Sequence, residues 1–148
     1  MTLIQERYMV EDALLKKLGL ESPYFNHLNM ELLDAGDGWA RLGMDVKPHH
    51  GNIHGFVHGG VIASLADQVG MLAAKTRFTK GQRGVTIQMD MHYLAPVKNG
   101  RLVAEGRIKK MGGRIAFSEV DVVDEKKKAV AMGRFTIVIV QAGKTELP

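Results

Sequence analysis

The chain has 148 residues, 20 Lys and Arg against 16 Asp and Glu, and no cysteine. That length makes one domain, residues 1–148, able to bury roughly two-thirds of its unfolded surface; the missing cysteine excludes thiol catalysis, cysteine-ligated zinc and iron–sulfur clusters and suits a reducing compartment. Glu6, Glu11 and Asp12 interrupt the first dozen residues where an export signal needs an apolar core, and no stretch reaches ~18 uncharged apolar residues, so a cytoplasmic protein off the membrane is expected.

In chain order, Val10, Leu14 and Leu18 share one face of a helix predicted over residues 3–18, with Gly19 as its stop. Residues 28–35 and 39–46 read as two strands about the Gly36-Asp37-Gly38 turn, a connection suited to an antiparallel hairpin. Pro48 ends the second strand. A polar loop follows, carrying His49, His50, Gly51, Asn52, His54 and Gly55, and leads to His58-Gly59-Gly60. Residues 59–76 form an apolar helix whose one carboxylate, Asp67, lies among Val61, Ile62, Leu65, Ala66, Val69, Met71 and Leu72. Such a carboxylate is either solvated at the helix edge or partly buried for chemistry. Gly59 and Gly60 let bare backbone approach a ligand, and the helix start points unpaired N–H groups at any oxygen in front of it.

Beyond the helix the period becomes two, with Val85, Ile87, Met89, Met91 and Tyr93 on one side and Thr86, Gln88, Asp90 and His92 on the other. Residues 102–110, 114–123 and 128–140 supply three more strands. The succession predicts an α+β fold, a mostly antiparallel sheet with one long apolar helix to cover a face of it.

The positive charge is uneven. Lys98, Arg101, Arg107, Lys109, Lys110 and Arg114 fall within 17 residues, opposed by Glu105 alone, and form a plausible anion site or a solvated basic edge. Nucleic acid fits poorly as a partner because no aromatic residues interleave with the basic ones; a small phosphorylated ligand fits better. His50, His54 and His58 recur every four residues, but Pro48, Gly51 and Gly55 disfavour the continuous helix that would align them, so no metal site is expected. Asn52 reads equally well as a turn residue bonding its own backbone, and Thr86 as an ordinary β-branched strand residue.

Several motifs together resemble the hotdog-fold acyl-coenzyme A thioesterases of the phenylacetic-acid-degradation type. They are Asn52 followed by His58-Gly59-Gly60 and Asp67, then Gly84-Val-Thr86-Ile-Gln-Met, Tyr93-Leu-Ala-Pro96, and Gly113-Arg114 leading into Phe117-Ser-Glu-Val. The resemblance implies a curved antiparallel sheet of five to six strands wrapped around one central helix, beside the N-terminal helix. It further implies a homodimer paired edge to edge, commonly doubled to a dimer of dimers, with the active site formed across the pair.

By that resemblance the reaction is hydrolysis of an aryl- or fatty-acyl-coenzyme A to the free acid and coenzyme A, with no cofactor beyond the coenzyme A of the substrate. Asp67 would be the general base or a nucleophile, and the Gly59 N–H would stabilise the oxyanion. Asn52 would bond the carbonyl or the water, His58 would orient that network, and Thr86 of the partner subunit would position the water. Tyr93, Lys98, Lys110, Gly112, Gly113 and Arg114 would hold coenzyme A. A non-catalytic acyl-coenzyme A or fatty-acyl sensor on the same fold, and a hydrolase using a metal held by the histidines, are the competing readings.

Overall fold

A computed structural model describes residue 18 and residues 22–143. The helix predicted over residues 3–18 lies outside the described residues except for Leu18, which is helical and buried, its carbonyl accepting a hydrogen bond from Lys75 Nζ at 3.0 Å.

The first described element is a short helix, α1 (Pro23–His27), that periodicity does not announce. Ser22 caps it by accepting a hydrogen bond from the Phe25 N–H at 3.1 Å, Pro23 occupies the first turn, and buried Phe25 anchors it. The hairpin β1 (Met30–Gly36) and β2 (Trp39–Asp45) follows, and after the 3-10 turn Pro48–His50 comes the long helix α2 (Gly59–Lys75). Four strands follow: β3 (Gln82–Tyr93), β4 (Arg101–Met111), β5 (Ile115–Asp124) and β6 (Ala129–Gln141). All pairings are antiparallel, in the order β1-β2-β4-β5-β6-β3. The curved sheet wraps α2 in the hotdog arrangement that the resemblance implies.

Helix and sheet meet closely because small residues stand where they touch. A side chain at Gly106 of β4 would come within 2.7 Å of the Val69 carbonyl oxygen, and one at Gly70 within 2.8 Å of Ser118 Oγ. The apolar face of α2, with Ile62, Leu65, Ala66, Val69 and Leu72, thereby reaches Leu42, Leu102, Ala104, Val120 and Phe135 in one core. At the far end of α2, Arg77 pairs with Asp37 and Thr76 Oγ1 accepts a hydrogen bond from the Gly38 N–H, fixing the helix to the β1–β2 turn.

One irregularity bears on the site. A β-bulge between Thr86 and Gln88 makes Ile87 an extra residue and breaks the strict alternation that the sequence predicts for β3. Thr86 pairs with Ile137, Met89 with Phe135, Met91 with Gly133 and Tyr93 with Ala131, all on the helix-facing side. Gln88, Asp90 and His92 stand opposite Thr136, Arg134 and Met132 on the outer side. Thr86 therefore faces α2 and not the polar side with Gln88, Asp90 and His92.

Candidate active site

The loop into α2 closes on Asn52. Its Oδ1 accepts the His54 N–H at 2.9 Å and the Phe56 N–H at 3.1 Å, while its backbone N–H donates to the Phe56 carbonyl at 2.7 Å. Asn52 is thus a loop organiser through its oxygen, which leaves its amide NH2 as the group able to meet a substrate carbonyl.

His50, outside the expected catalytic and coenzyme A residues, braces the same loop from below. Its fully buried ring accepts the Lys47 N–H at Nδ1 (3.0 Å), and its carbonyl accepts the His58 N–H at 2.8 Å. Burial, with the adjacent His49 ring adding to it, holds the His50 imidazole below its ordinary value of 6.5. Nothing in a Pro-His-His sequence distinguishes such a ring from an exposed one.

His58 is the N-cap of α2. Its Nδ1 accepts the Gly60 N–H at 2.9 Å, which puts the proton of the neutral ring on Nε2. Its carbonyl accepts the Val61 N–H at 2.9 Å and the Ile62 N–H at 3.3 Å. Of the first four N–H groups of the helix, Gly59's alone has no partner among the described residues. It stands at the positive end of the helix dipole, and the doubly accepting His58 carbonyl polarises the peptide that carries it.

Asp67 lies two turns further along α2, half-buried, and Thr86 Oγ1 donates to its Oδ1 at 2.8 Å. Thr86 and Asp67 therefore meet within one chain, without help from a second subunit. Asp67 Oδ2 has no partner among the described residues.

The residues expected to hold coenzyme A do not gather in one place. The Tyr93 hydroxyl donates to the Gly59 carbonyl at 2.9 Å, and Lys98 lies over the Phe56 ring with Nζ 5.1 Å from its centroid, both near the start of α2. Lys110 at the end of β4 and Gly112, Gly113 and Arg114 in the β4–β5 turn are exposed at the opposite end of the sheet, where the Arg114 carbonyl meets the Ile139 N–H beside Gly84. The length of β3 separates the two groups, roughly 25–30 Å. Arg101, Arg107 and Lys109 are paired with Asp45, Glu105 and Glu119 respectively, which removes them from any single basic cluster. The three histidines also diverge, His50 into the core, His54 to the loop surface and His58 to the helix cap, and no group of metal-ligating side chains converges among the described residues. No helix among them is long and apolar enough to cross a membrane.

The arrangement offers a carboxylate oriented by a hydroxyl, and a helix-terminal N–H aimed outward, the groups that acyl transfer to water requires. The family model of the thioesterase superfamily matches residues 54–131, which contain His58, Gly59, Asp67, Thr86 and Tyr93. Acyl-coenzyme A thioesterase 13 of Homo sapiens is 33% identical over 107 residues, 71% of this chain and 76% of that protein. A mutant of the phenylacetic acid degradation protein PaaI from Thermus thermophilus superposes with a TM-score of 0.73 at 30% identity, covering 79% of this chain and 98% of that one. A thioesterase from Haemophilus influenzae superposes with a TM-score of 0.82 at 24% identity over 88% of this chain and 92% of that one, a likeness of fold. By sequence, fold and the chemistry its site offers, the chain belongs to the thioesterase superfamily and is a thioester hydrolase.

Proposed function

We propose that the protein hydrolyses acyl-coenzyme A esters at a site shared between two copies of the chain. The observation that carries this reading is the spacing of its two reactive parts. Gly59 and Asp67 are eight residues apart on one helix, about 12 Å along its axis. One thioester carbonyl and one attacking water occupy less than that, so the Gly59 N–H and the Asp67 carboxylate of a single chain serve different reaction centres.

A second copy supplies the missing half. Among the described strands β3 lies at an edge, with its outer hydrogen-bonding groups unpaired by the other five. Antiparallel pairing of β3 with itself about a two-fold axis near Met89 and Asp90 sets Thr86 of the partner subunit opposite Tyr93, and with it Asp67 of the partner subunit toward Gly59. The same operation carries the partner's Lys110 and Arg114 toward the end of the sheet that holds Lys98. Both groups of cations then flank one coenzyme A, whose diphosphate and ribose phosphate suit them. A dimer of such dimers is compatible with this arrangement.

At that centre Asp67 takes a proton from water through its open Oδ2 while Thr86 holds Oδ1. The water oxygen bonds to the thioester carbon, and the carbonyl oxygen becomes an oxyanion against the Gly59 N–H and the Asn52 amide. Collapse re-forms the carbonyl and breaks the carbon–sulfur bond, and the coenzyme A thiolate leaves and takes up the proton that Asp67 holds. His58 keeps the helix cap in register.

Thiol release from aryl, short-chain and long-chain acyl-coenzyme A esters tests this directly, since a chain without cysteine gives a low background with a thiol-reactive dye. Wild-type turnover should fall about 10²- to 10⁴-fold in Asp67→Asn. Binding of the esters without release of thiol by the wild type would overturn the reading in favour of a sensor.

A further inference from the structure

Gly59-Gly60 is the softest backbone at which a helix could begin, yet an oxyanion donor must be held to a fraction of an ångström to act. The structure answers this with side-chain tethers. The Gly60 N–H is held by His58 Nδ1 at 2.9 Å. The Gly60 carbonyl accepts Ser64 Oγ at 2.7 Å, and the Tyr24 hydroxyl meets Ser64 Oγ at 2.8 Å. The Gly59 carbonyl accepts the Tyr93 hydroxyl at 2.9 Å. Among the described residues, every polar group of the glycine pair is thus tied down by a side chain except one, the Gly59 N–H.

Among these tethers Tyr93 alone joins the glycine pair to the sheet. It is the last residue of β3, its backbone paired with Ala131, and the next two residues donate to the Val130 carbonyl at 2.8 and 3.2 Å. Its ring packs against Gly59, with Cζ 3.4 Å from where a side chain would begin. A rigid ring on a fixed strand end therefore sets where the Gly59 peptide lies and which way its N–H points.

We infer that Tyr93 is a positioning residue for the oxyanion donor, acting through the Gly59 carbonyl and not as a contact to coenzyme A. This rests on the reading that Gly59 serves thioester hydrolysis. It makes the catalytic geometry of the helix start depend on the strand that also forms the edge of the sheet.

The test compares wild type with Tyr93→Phe, which keeps the ring and removes the hydroxyl. The expected result is a fall in kcat of about 5- to 20-fold, with KM for the ester and the inhibition constant of coenzyme A both within about twofold. In a Gly59→Pro background, where the N–H is gone, Tyr93→Phe should change kcat little, because the two residues act as one unit. An unchanged kcat with raised KM and inhibition constant, or equal effects in both backgrounds, would overturn the inference. Exchange of the Gly60 amide proton, read by NMR, gives a measure independent of turnover: it should accelerate about tenfold in Tyr93→Phe while the middle of α2 is unaffected. If wild type releases no thiol, the hydrolase reading fails, and the exchange result alone decides whether Tyr93 holds the glycine pair.

Discussion

The start of α2 and its middle perform opposite divisions of labour. At the start, backbone supplies the reactive group and side chains hold it, with His58, Ser64 and Tyr93 tethering a glycine pair whose one open donor is the Gly59 N–H. In the middle, side chains supply the reactive group and backbone places it: a one-residue bulge at Ile87 turns Thr86 toward Asp67. A helix end offers dipole and donors from its geometry alone, whereas a carboxylate on an apolar helix needs a specific neighbour to orient it. The first kind of site is vulnerable to changes that stiffen or remove backbone groups, and the second to changes in side-chain chemistry.

Gly59→Pro is the sharpest way to break the first half. Proline is tolerated at the first helical position and His58, at φ −61° and ψ 134°, already has the conformation that precedes a proline. The substitution deletes the one open N–H and preserves the helix, so kcat should drop about 10²- to 10³-fold with the thermal midpoint and circular dichroism little changed. A smaller loss would mean that another donor meets the oxyanion.

Thr86→Val probes the other half by removing the hydroxyl that donates to Asp67 Oδ1 and keeping the β-branched shape. The expected loss in kcat is about tenfold, from one hydrogen bond to a charged group, and Thr86→Ser should restore most of it. Loss in both variants alike would assign the effect to strand packing.

The smallest expected effect concerns the support beneath the helix start. Because His50 is held below its ordinary value in the folded protein, the unfolded chain takes up this proton first as pH falls. Stability is therefore full above about 6.5 and declines as pH drops from there through the folded-state value. The neighbouring His49, His27 and Lys47 act on the same ring in the same direction, and a hydrogen bond with the Leu28 backbone opposes them. In His50→Asn, where an amide oxygen can accept the Lys47 N–H, the decline in thermal midpoint between pH 7 and 5 should be shallower by roughly a few degrees. An unchanged slope would shift that role to the exposed histidines.

Much of this organisation is legible in the residues. The turn at Asp37-Gly38, the apolar face of residues 59–76 and the alternation of the later strands lead to the observed order of elements. The Ser22-Pro23 pair carries a helix-start signal, but the five residues of α1 are too few to show a period. Thr86 is misassigned to the polar face because a bulge has no compositional mark, and every residue beyond it changes side relative to those before. Lys98 and Lys110 are near in sequence yet far in space because β4, eleven residues long, carries the chain the length of the sheet between them. Asn52 supports two readings for a physical reason, since an amide has an oxygen to close a loop and a nitrogen to offer a ligand. The spacing of Gly59 and Asp67 stands in the sequence, but its meaning depends on the helix being continuous between them.

If one reaction centre draws Gly59 from one copy and Asp67 from another, two inactive variants should rescue each other when mixed. Gly59→Pro and Asp67→Asn subunits are unfolded together, refolded as an equimolar mixture, and assayed for thiol release. If the site is shared, each mixed dimer contains one intact centre, and activity should return to about a quarter of wild type. If both groups act within one chain, every centre in the mixture lacks one of them, and activity that stays at the level of the separate variants would contradict the account.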